Sequence, residues 1–253
     1  MSSTTSTDPD VERAQPPAAK SREKLDLRIA FWTIPVYYLL FGIIFVPLAH
    51  VMPPPKPGLS TQQIVDFVES HSLTIKIGFG ILLVVVGFAT VANALIALQI
   101  KRMSVGSVFA YSYIVALAVG ALPGCLFCAL SFLTATLRPD RDPRIIALLY
   151  DMGMMTFVGS LGCFATAYLV LALAIFLDKN EIFPKWFAYI TIWQIVTELM
   201  AAPIFLFTDG PFAWDGSISF WMGTAIFGIW ECCLIVLLYR AVKRQPADER
   251  VPD

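Results

Sequence analysis

Two glutamates, Glu198 and Glu231, each lie near the middle of a long apolar run, and they are the residues best suited to chemistry in this chain. A charged side chain at the centre of a bilayer costs at least about 2.5–3.5 kcal/mol, so burial there favours a neutral carboxyl group. Two carboxyl groups held close together cannot both ionise cheaply. Such a pair can carry a proton, act as acid and base, or bind a cation.

The neighbours of the two acids predict that both point into a helix bundle. In the fifth apolar run, Thr191 and Gln194 share a helical face with Glu198, at spacings of three and four residues. In the sixth run, Thr224 shares a face with Glu231. Polar stripes in membrane helices usually turn toward the bundle interior or a water-filled cavity.

The depths of these acids predict that they meet. Glu198 lies 12 residues after Trp186 and Glu231 lies 9 residues before Arg240, which corresponds to about 18 and 14 Å along a helix. Asn93, in the second run, is expected to join them, about 10 Å from the same end. Two arrangements stay open: a carboxyl pair that shares a proton, or two separate neutral acids that are each hydrogen-bonded to a polar neighbour.

Asp151, at the edge of the fourth run, is a further candidate ligand-binding residue. We expect an ion pair between Asp151 and Arg138 or Arg144, which lie in or next to the preceding loop. The same two arginines are candidates to hold an anionic lipid or ligand head group. A solvated turn that neutralises its own charges is the simpler interpretation of this loop.

Two other residue pairs favour packing over chemistry. Cys125 and Cys128 form a C-x-x-C pattern inside an apolar run, with no second cysteine pair in a loop to exchange electrons with it. His50 and His71, the only histidines, lack the spacing of metal or haem ligands. We therefore expect no metal site and no cofactor.

The composition indicates a membrane protein. Of 253 residues, 57% are hydrophobic and 15% are charged, against roughly 45–50% and 25% in soluble domains. A net charge of −1 argues against a nucleic-acid partner. The partners that remain are membrane lipid and a hydrophobic small molecule, and no pattern in the chain indicates an oligomeric state.

Six apolar runs are long enough to cross a bilayer as helices, which predicts an all-α bundle of six spans. Thirteen of the 18 Lys and Arg residues fall on the side of the termini and five on the other, so both termini are predicted to be cytoplasmic. The runs are Ile29–Val51, Ile77–Ile100, Val105–Leu137, Asp151–Leu177, Trp186–Phe207 and Ser217–Tyr239.

The regions outside the spans divide the chain further. Residues 1–26 and 241–253 are predicted to be cytoplasmic tails, the first of them disordered, around a membrane domain at 27–240. A capping box at Ser60 predicts a short amphipathic helix at 60–71, lying on the outer leaflet surface. Asp142 and Pro143 predict the start of the fourth helix. The third run is so long that Pro123 is expected to kink it, with a re-entrant segment as the alternative.

Three loop segments resemble those of an uncharacterised family of bacterial integral membrane proteins: Pro53–Ile64 (PPPKPGLSTQQI), Arg138–Ile146 (RPDRDPRII) and Gly210–Gly216 (GPFAWDG). The resemblance covers most of residues 27–242. It implies a small polytopic bundle in a bacterial inner membrane, and it implies neither an activity nor a catalytic residue.

We therefore expect a membrane protein that binds or moves a hydrophobic or amphiphilic small molecule, coupled to protons through Glu198 and Glu231. Two alternatives stay open. One is an intramembrane enzyme, of the isomerase or cyclase type, that uses the two acids on a lipid-soluble substrate. The other is a structural or accessory subunit in which the acids only pack helices.

Overall fold

The computed structural model describes residues 17–159 and 161–246, with side chains from Leu25 onward except those of residues 121–123 and 161. Nine α-helices are formed within this part of the chain, and no strand is formed there. They are α1 (Pro17–Ile43), α2 (Thr61–Ser70), α3 (Ser72–Val85), α4 (Phe88–Lys101), α5 (Ser107–Thr136), α6 (Pro143–Gly159), α7 (Leu161–Leu177), α8 (Lys185–Ala201) and α9 (Gly223–Arg244).

The predicted all-α bundle of six membrane spans is confirmed for the described residues. Helices α3 and α4 together make the second span, α6 and α7 the fourth, and short π or 3₁₀ segments extend α1, α8 and α9. The spans are Leu25–Leu48, Ser72–Lys101, Ser107–Thr136, Pro143–Leu177, Lys185–Phe205 and Ser217–Arg244.

Helix α1 begins earlier than composition predicts. It starts at Pro17, inside the segment 1–26 that was expected to be a disordered tail, and residues 1–16 lie outside the described part. Residues 18–25, with the sequence AAKSREKL, are rich in strong helix formers. Because the apolar helix that follows already supplies the nucleus, each added turn avoids the cost of nucleation.

The two predicted helix starts are present. The Ser60 side chain accepts from the Gln63 backbone N–H, and the Gln63 side chain accepts in return from the Ser60 N–H, which completes the capping box of α2. At α6, the Asp142 carboxylate accepts from the Arg144 N–H at 2.8 Å, and Pro143 is the first helical residue. These local signals depend on a few adjacent residues, which is why the sequence alone revealed them.

Helix α5 is continuous from Ser107 to Thr136, so the third span does not turn back as a re-entrant segment. The predicted kink falls at Pro123, whose side chain lies outside the described residues. Gly120 brings α5 against α7, because a Cβ atom at this position would lie 2.0 Å from Cys163 Cβ. This is the close helix approach for which small residues are selected in membranes.

The bundle has two hydrophobic clusters, one toward each end. The end at which Arg102, Asp178 and Gln245 meet is called the terminal end, and the opposite end, near Tyr150 and Trp214, the loop end. The terminal cluster includes Ile34, Ile96, Tyr113, Leu171, Phe187 and Trp230, and the loop cluster includes Phe45, Val68, Phe79, Phe132, Tyr150 and Trp214.

The amphipathic helix α2 covers the loop end of the bundle. Its apolar residues Ile64, Val65 and Val68 are buried in the loop cluster. We expected this face to lie on the outer leaflet, but the protein itself covers it. Periodicity identified the apolar face correctly but not what would cover it, since that depends on tertiary packing.

A saturated polar cluster closes the terminal end. Asp178 is 3% exposed, and its carboxylate accepts backbone N–H groups from Ser104 at 2.8 Å, Asn180 at 2.9 Å and Ile182 at 2.9 Å. The Lys185 ammonium donates to the Ile175 carbonyl at 2.6 Å, near the end of α7. These bonds join the loop before α5 to the loop between α7 and α8.

Candidate functional site

A cavity of about 450 Å³ lies between the two hydrophobic clusters, at the middle of the bundle. Residues of α1 and of α4 to α9 form its walls. Five of the six intramembrane polar residues singled out from the sequence line it, and the sixth, Thr191, is buried outside it; the five are Glu198, Glu231, Gln194, Asn93 and Thr224. The helical periodicity therefore placed these side chains on the inner face of the bundle correctly.

Glu231 is the most deeply buried acid of the cavity. It is 7% exposed, and its Oε1 atom has no hydrogen-bond partner among the described residues. The phenol of Tyr38 lies beside this carboxyl group, and the buried Tyr113 and Tyr168 are close to it. A buried acceptor without a donor costs about 1–3 kcal/mol, so the site holds hydrogen-bonding capacity that the fold does not use.

Glu198 is held by its own helix. The Gln194 amide Nε2 donates to Glu198 Oε1 at 2.9 Å, one helical turn away. Gln194 itself is 1% exposed, and its amide oxygen has no partner among the described residues. The Gln194 backbone carbonyl accepts from the Thr197 hydroxyl at 2.8 Å. Gln194 and Glu231, which line the same cavity, therefore each keep a buried side-chain oxygen without a partner among the described residues.

Helices α8 and α9 are held together directly beneath these acceptors. The Trp230 indole N–H donates to Thr191 Oγ1 at 3.0 Å, and both residues are buried. Glu198 lies 13 residues after Lys185, the start of α8, and Glu231 lies 13 residues before Arg244, the end of α9. Both acids therefore sit about 20 Å from the terminal end, at matching depth.

The two carboxyl groups share the cavity without touching. Within the described residues no hydrogen bond joins Glu198 to Glu231, so of the two arrangements left open the pair with a directly shared proton is not formed in this structure. Each acid instead has its own polar neighbour, Gln194 for Glu198 and Tyr38 for Glu231. The Tyr168 phenol lines the same cavity and is under the electrostatic influence of both carboxyl groups.

The cavity opens sideways along α9. Gly228 lines the cavity and is nevertheless exposed, within the membrane-spanning part of α9. A Cβ atom built at Gly228, Gly223 or Gly42 would have no atom within 4 Å. The four-residue spacing of Thr224 and Gly228 is typical of a small-residue helix contact. Instead, Thr224 lines the cavity and Gly228 borders an opening, because nothing packs against it.

The loop residues proposed for ligand binding lie elsewhere. Asp151, Arg138 and Arg144 do not line the cavity, and within the described chain no ion pair joins Asp151 to either arginine. Asp151 and Arg144 are separated by two turns of α6, or about 10 Å along the axis, which is too far for direct contact. Arg138 and Arg144 are exposed at the loop end.

The structure shows where the cysteine pair and the histidine pair, both assigned to packing, lie. The five cysteines are free thiols; Cys128 is buried in the loop cluster and Cys125 lines the cavity. His50 and His71 do converge, with ring centroids 4.2 Å apart at the loop end. Within the described residues, no group of three or more possible metal ligands is formed.

Sequence reasoning missed the aromatic part of the site. Tyr38, Tyr113, Tyr168 and Trp230 line the cavity near the two acids. Their one available signal was a hydroxyl or indole N–H inside an apolar run, which needs a partner when it is buried. Tyrosine and tryptophan are common in membrane helices, so this signal became meaningful only once the packing was known.

No known protein family, curated protein or solved structure matches this chain. The resemblance to bacterial membrane proteins with similar loops therefore stays a prediction.

Proposed function

We propose that this protein binds, and moves across or within the membrane, an amphiphilic small molecule that occupies the central cavity, with Glu198 and Glu231 exchanging protons during the cycle. The observation that carries the proposal is the pair of buried, unpartnered acceptors on Gln194 and Glu231 in a cavity with mainly apolar walls. Small-molecule sites typically combine apolar walls with a few convergent polar groups, in a volume of about 300–1,000 Å³.

The lateral opening also supports a ligand that comes from the membrane. Because Gly228 is exposed in the membrane-spanning part of α9, a molecule dissolved in the acyl chains can reach the cavity without crossing water. Its polar end would meet the unpaired acceptors, and its apolar part would contact rings such as Phe227 and Phe220.

Filling the opening tests whether the cavity binds a ligand. We expect Gly228→Leu to abolish saturable binding of dodecyl amphiphiles to the protein in phosphatidylcholine nanodiscs, measured by calorimetry, because the new side chain enters open space that lines the cavity. Gly162→Leu is the matched control, since Gly162 is also an open helical position but lies outside the cavity. Equal binding by both variants would refute the proposal.

Removing both ionisable groups tests the proton coupling. We expect Glu198→Gln with Glu231→Gln to preserve folding, because glutamine has nearly the same shape, and to abolish proton release on ligand binding in lightly buffered nanodiscs. A pH-sensitive dye reports that release. If the double variant released protons as the unchanged protein does, the two acids would have no part in the coupling.

The location that we propose is a bacterial inner membrane with both termini in the cytoplasm. The excess of Lys and Arg on the side of the termini supports this orientation, as does the resemblance of the loops. Reporter fusions at the C-terminus test it: cytoplasmic reporters should be active, and reporters that fold only after export should be silent.

An intramembrane acid–base enzyme is the second candidate, because Tyr38 places a phenol beside the Glu231 carboxyl. A phenol and a carboxyl group in contact can relay a proton to or from a bound molecule. Mass spectrometry of the amphiphile recovered from the protein separates the two candidates, since a binder returns it unchanged and an isomerase or cyclase does not.

A further inference from the structure

We propose that the ligand's polar end is a protonated amine, so that the cavity is a site for ammonium-bearing amphiphiles. This inference rests on the proposed function and names the class of ligand. It follows from four independent features of the cavity: its unpaired acceptors, its charge, its rings and its opening.

The unpaired groups are both acceptors. Gln194 and Glu231 both line the cavity, and the buried Oε1 atom of each has no hydrogen-bond partner among the described residues. An acceptor can be satisfied only by a donor, so a matching ligand must bring N–H or O–H groups. An ester, an ether or a ketone brings no donor, so it would leave Gln194 Oε1 unpaired and could bond Glu231 only in the protonated form of that acid.

The charge of the cavity favours a cation. Glu198 and Glu231 line it, and in the described part of the chain no Lys, Arg or His does. The nearest bases of the terminal end are engaged there: Arg102 donates to Gln99 Oε1 at 2.6 Å, and Lys185 donates to carbonyls at the end of α7. An anionic head group would therefore meet only carboxyl groups and phenols, whereas an ammonium group gains an opposite charge.

The rings of the cavity suit a cation as well. Tyr168 and Trp230 contact each other edge to face, with ring centroids 4.8 Å apart, and Trp230 stacks on Phe227 at 6.2 Å. Tyr38, which lies beside Glu231, contacts Phe227 at 6.0 Å. A cation within about 6 Å of such ring faces is attracted by their quadrupoles. Aromatic rings therefore lie beside the acid, where they can attract an ammonium group that reaches a ring face.

The opening beside Gly228 leaves room for the alkyl chain of the ligand. An ammonium group between Glu231 and Gln194 can direct an alkyl chain past Gly228, where no side chain blocks the way. The chain then remains in contact with acyl chains outside the bundle. A membrane-dissolved amine can occupy the site in this way with its tail still partly in the bilayer.

Four probes with one dodecyl chain separate charge from donor capacity: dodecylammonium, dodecyltrimethylammonium, dodecanol and dodecanoate. Calorimetry of the full-length protein in phosphatidylcholine nanodiscs at pH 7, with empty nanodiscs as the blank, measures saturable binding. We expect dodecylammonium to bind about tenfold more tightly than dodecanol or dodecyltrimethylammonium, since only dodecylammonium combines charge with N–H donors. Dodecanoate should show no saturable binding.

Single substitutions test which residue causes the preference for dodecylammonium. Glu231→Gln should reduce the advantage of dodecylammonium over dodecanol by about tenfold, while its thermal midpoint stays near that of the unchanged protein. Asp151→Asn is the control, because Asp151 is a half-buried acid of a membrane span outside the cavity, and it should leave the order of the four probes unchanged.

Dodecanol or dodecanoate binding as tightly as dodecylammonium would overturn the inference while leaving the proposed function intact. An unchanged preference in Glu231→Gln would overturn it too. If none of the four probes bound saturably, the proposed function itself would fail.

The amine could come from a lipid head group or from a free single-chain amine. Repeating the dodecylammonium titration with half of the phosphatidylcholine replaced by phosphatidylethanolamine distinguishes the two sources. A weaker apparent affinity would identify the lipid amine as a competitor for the site. An unchanged affinity would assign the site to single-chain amines, and both results would uphold the ammonium class.

Discussion

Two buried acids at different levels of the bundle are treated in opposite ways. Asp178, at the terminal end, is 3% exposed and accepts three backbone N–H groups. Glu231, at mid-bundle, is 7% exposed and keeps one oxygen without any donor among the described residues. Burial alone therefore does not show whether the fold satisfies the hydrogen-bonding capacity of an acid.

The difference lies in what the fold supplies to each acid. Loops at the terminal end have free backbone N–H groups, and Asp178 satisfies three of them at once. Glu231 lies in the middle of α9, where backbone N–H groups are already bonded within the helix. Its remaining oxygen can be satisfied only by a side chain, water or a ligand, and Glu231 lines a cavity with room for the last two.

The largest effect is expected from removing the saturated acid. Asp178→Ala leaves three partly buried backbone donors without their acceptor, so we expect the free energy of unfolding to fall by about 2 kcal/mol. Thermal unfolding in detergent measures this loss. Asp178→Asn, which keeps a carbonyl oxygen for part of the set, should lie between Asp178→Ala and the unchanged protein. A loss below about 1 kcal/mol for Asp178→Ala would mean that the terminal cluster is not structural.

A smaller effect of opposite sign is expected at Glu231. Glu231→Leu replaces a buried, unpaired acid by an apolar side chain of similar size, so we expect the free energy of unfolding to rise by about 1 kcal/mol. Glu231→Gln keeps an unpaired acceptor and should stay near the unchanged protein. The same measurement applies, and a loss comparable to that of Asp178→Ala would show that Glu231 holds the fold together.

The sequence drew attention to Glu231 and not to Asp178, for a physical reason. Glu231 interrupts an apolar run, where a charge is costly, whereas Asp178 lies beside Lys179 at a membrane boundary, where charges are expected. Moreover, the Ser104 N–H that binds Asp178 is 74 residues away in the chain. No local pattern reveals such a partner.

The distinction between local patterns and contacts that are distant in the chain also explains which other features of the fold and site could be predicted. Span lengths, the capping box of α2 and the inner face of α8 depend on neighbouring residues, so they could be predicted. What covers α2, and whether Gly228 touches a helix or an opening, depend on residues distant in sequence. Gly120 and Gly228 look alike as small-residue motifs, yet one packs against Cys163 and the other faces open space.

The smallest effect is expected at the histidine pair, which belongs neither to the terminal polar cluster nor to the cavity. His50 and His71 lie at the loop end, outside the membrane spans, with ring centroids 4.2 Å apart. Burial, and then the neighbouring His71, lower the pKa of His50 below its ordinary value of 6.5. His71 Nδ1 lies 2.8 Å from the Phe67 carbonyl, which orients its ring.

A lowered pKa means that the unfolded chain takes up the His50 proton more readily than the folded protein does. The stabilisation is therefore complete above pH 6.5 and is lost as the pH falls through the lower pKa of the folded state. We expect the thermal midpoint of His50→Gln to fall less steeply with decreasing pH in this range than that of the unchanged protein. This change in the midpoint should be smaller than the one caused by Asp178→Ala. His71→Gln should weaken the pH dependence less than His50→Gln does, because burial is the larger cause of the shift and would remain. Identical slopes in His50→Gln and the unchanged protein would show that His50 does not cause the acid sensitivity.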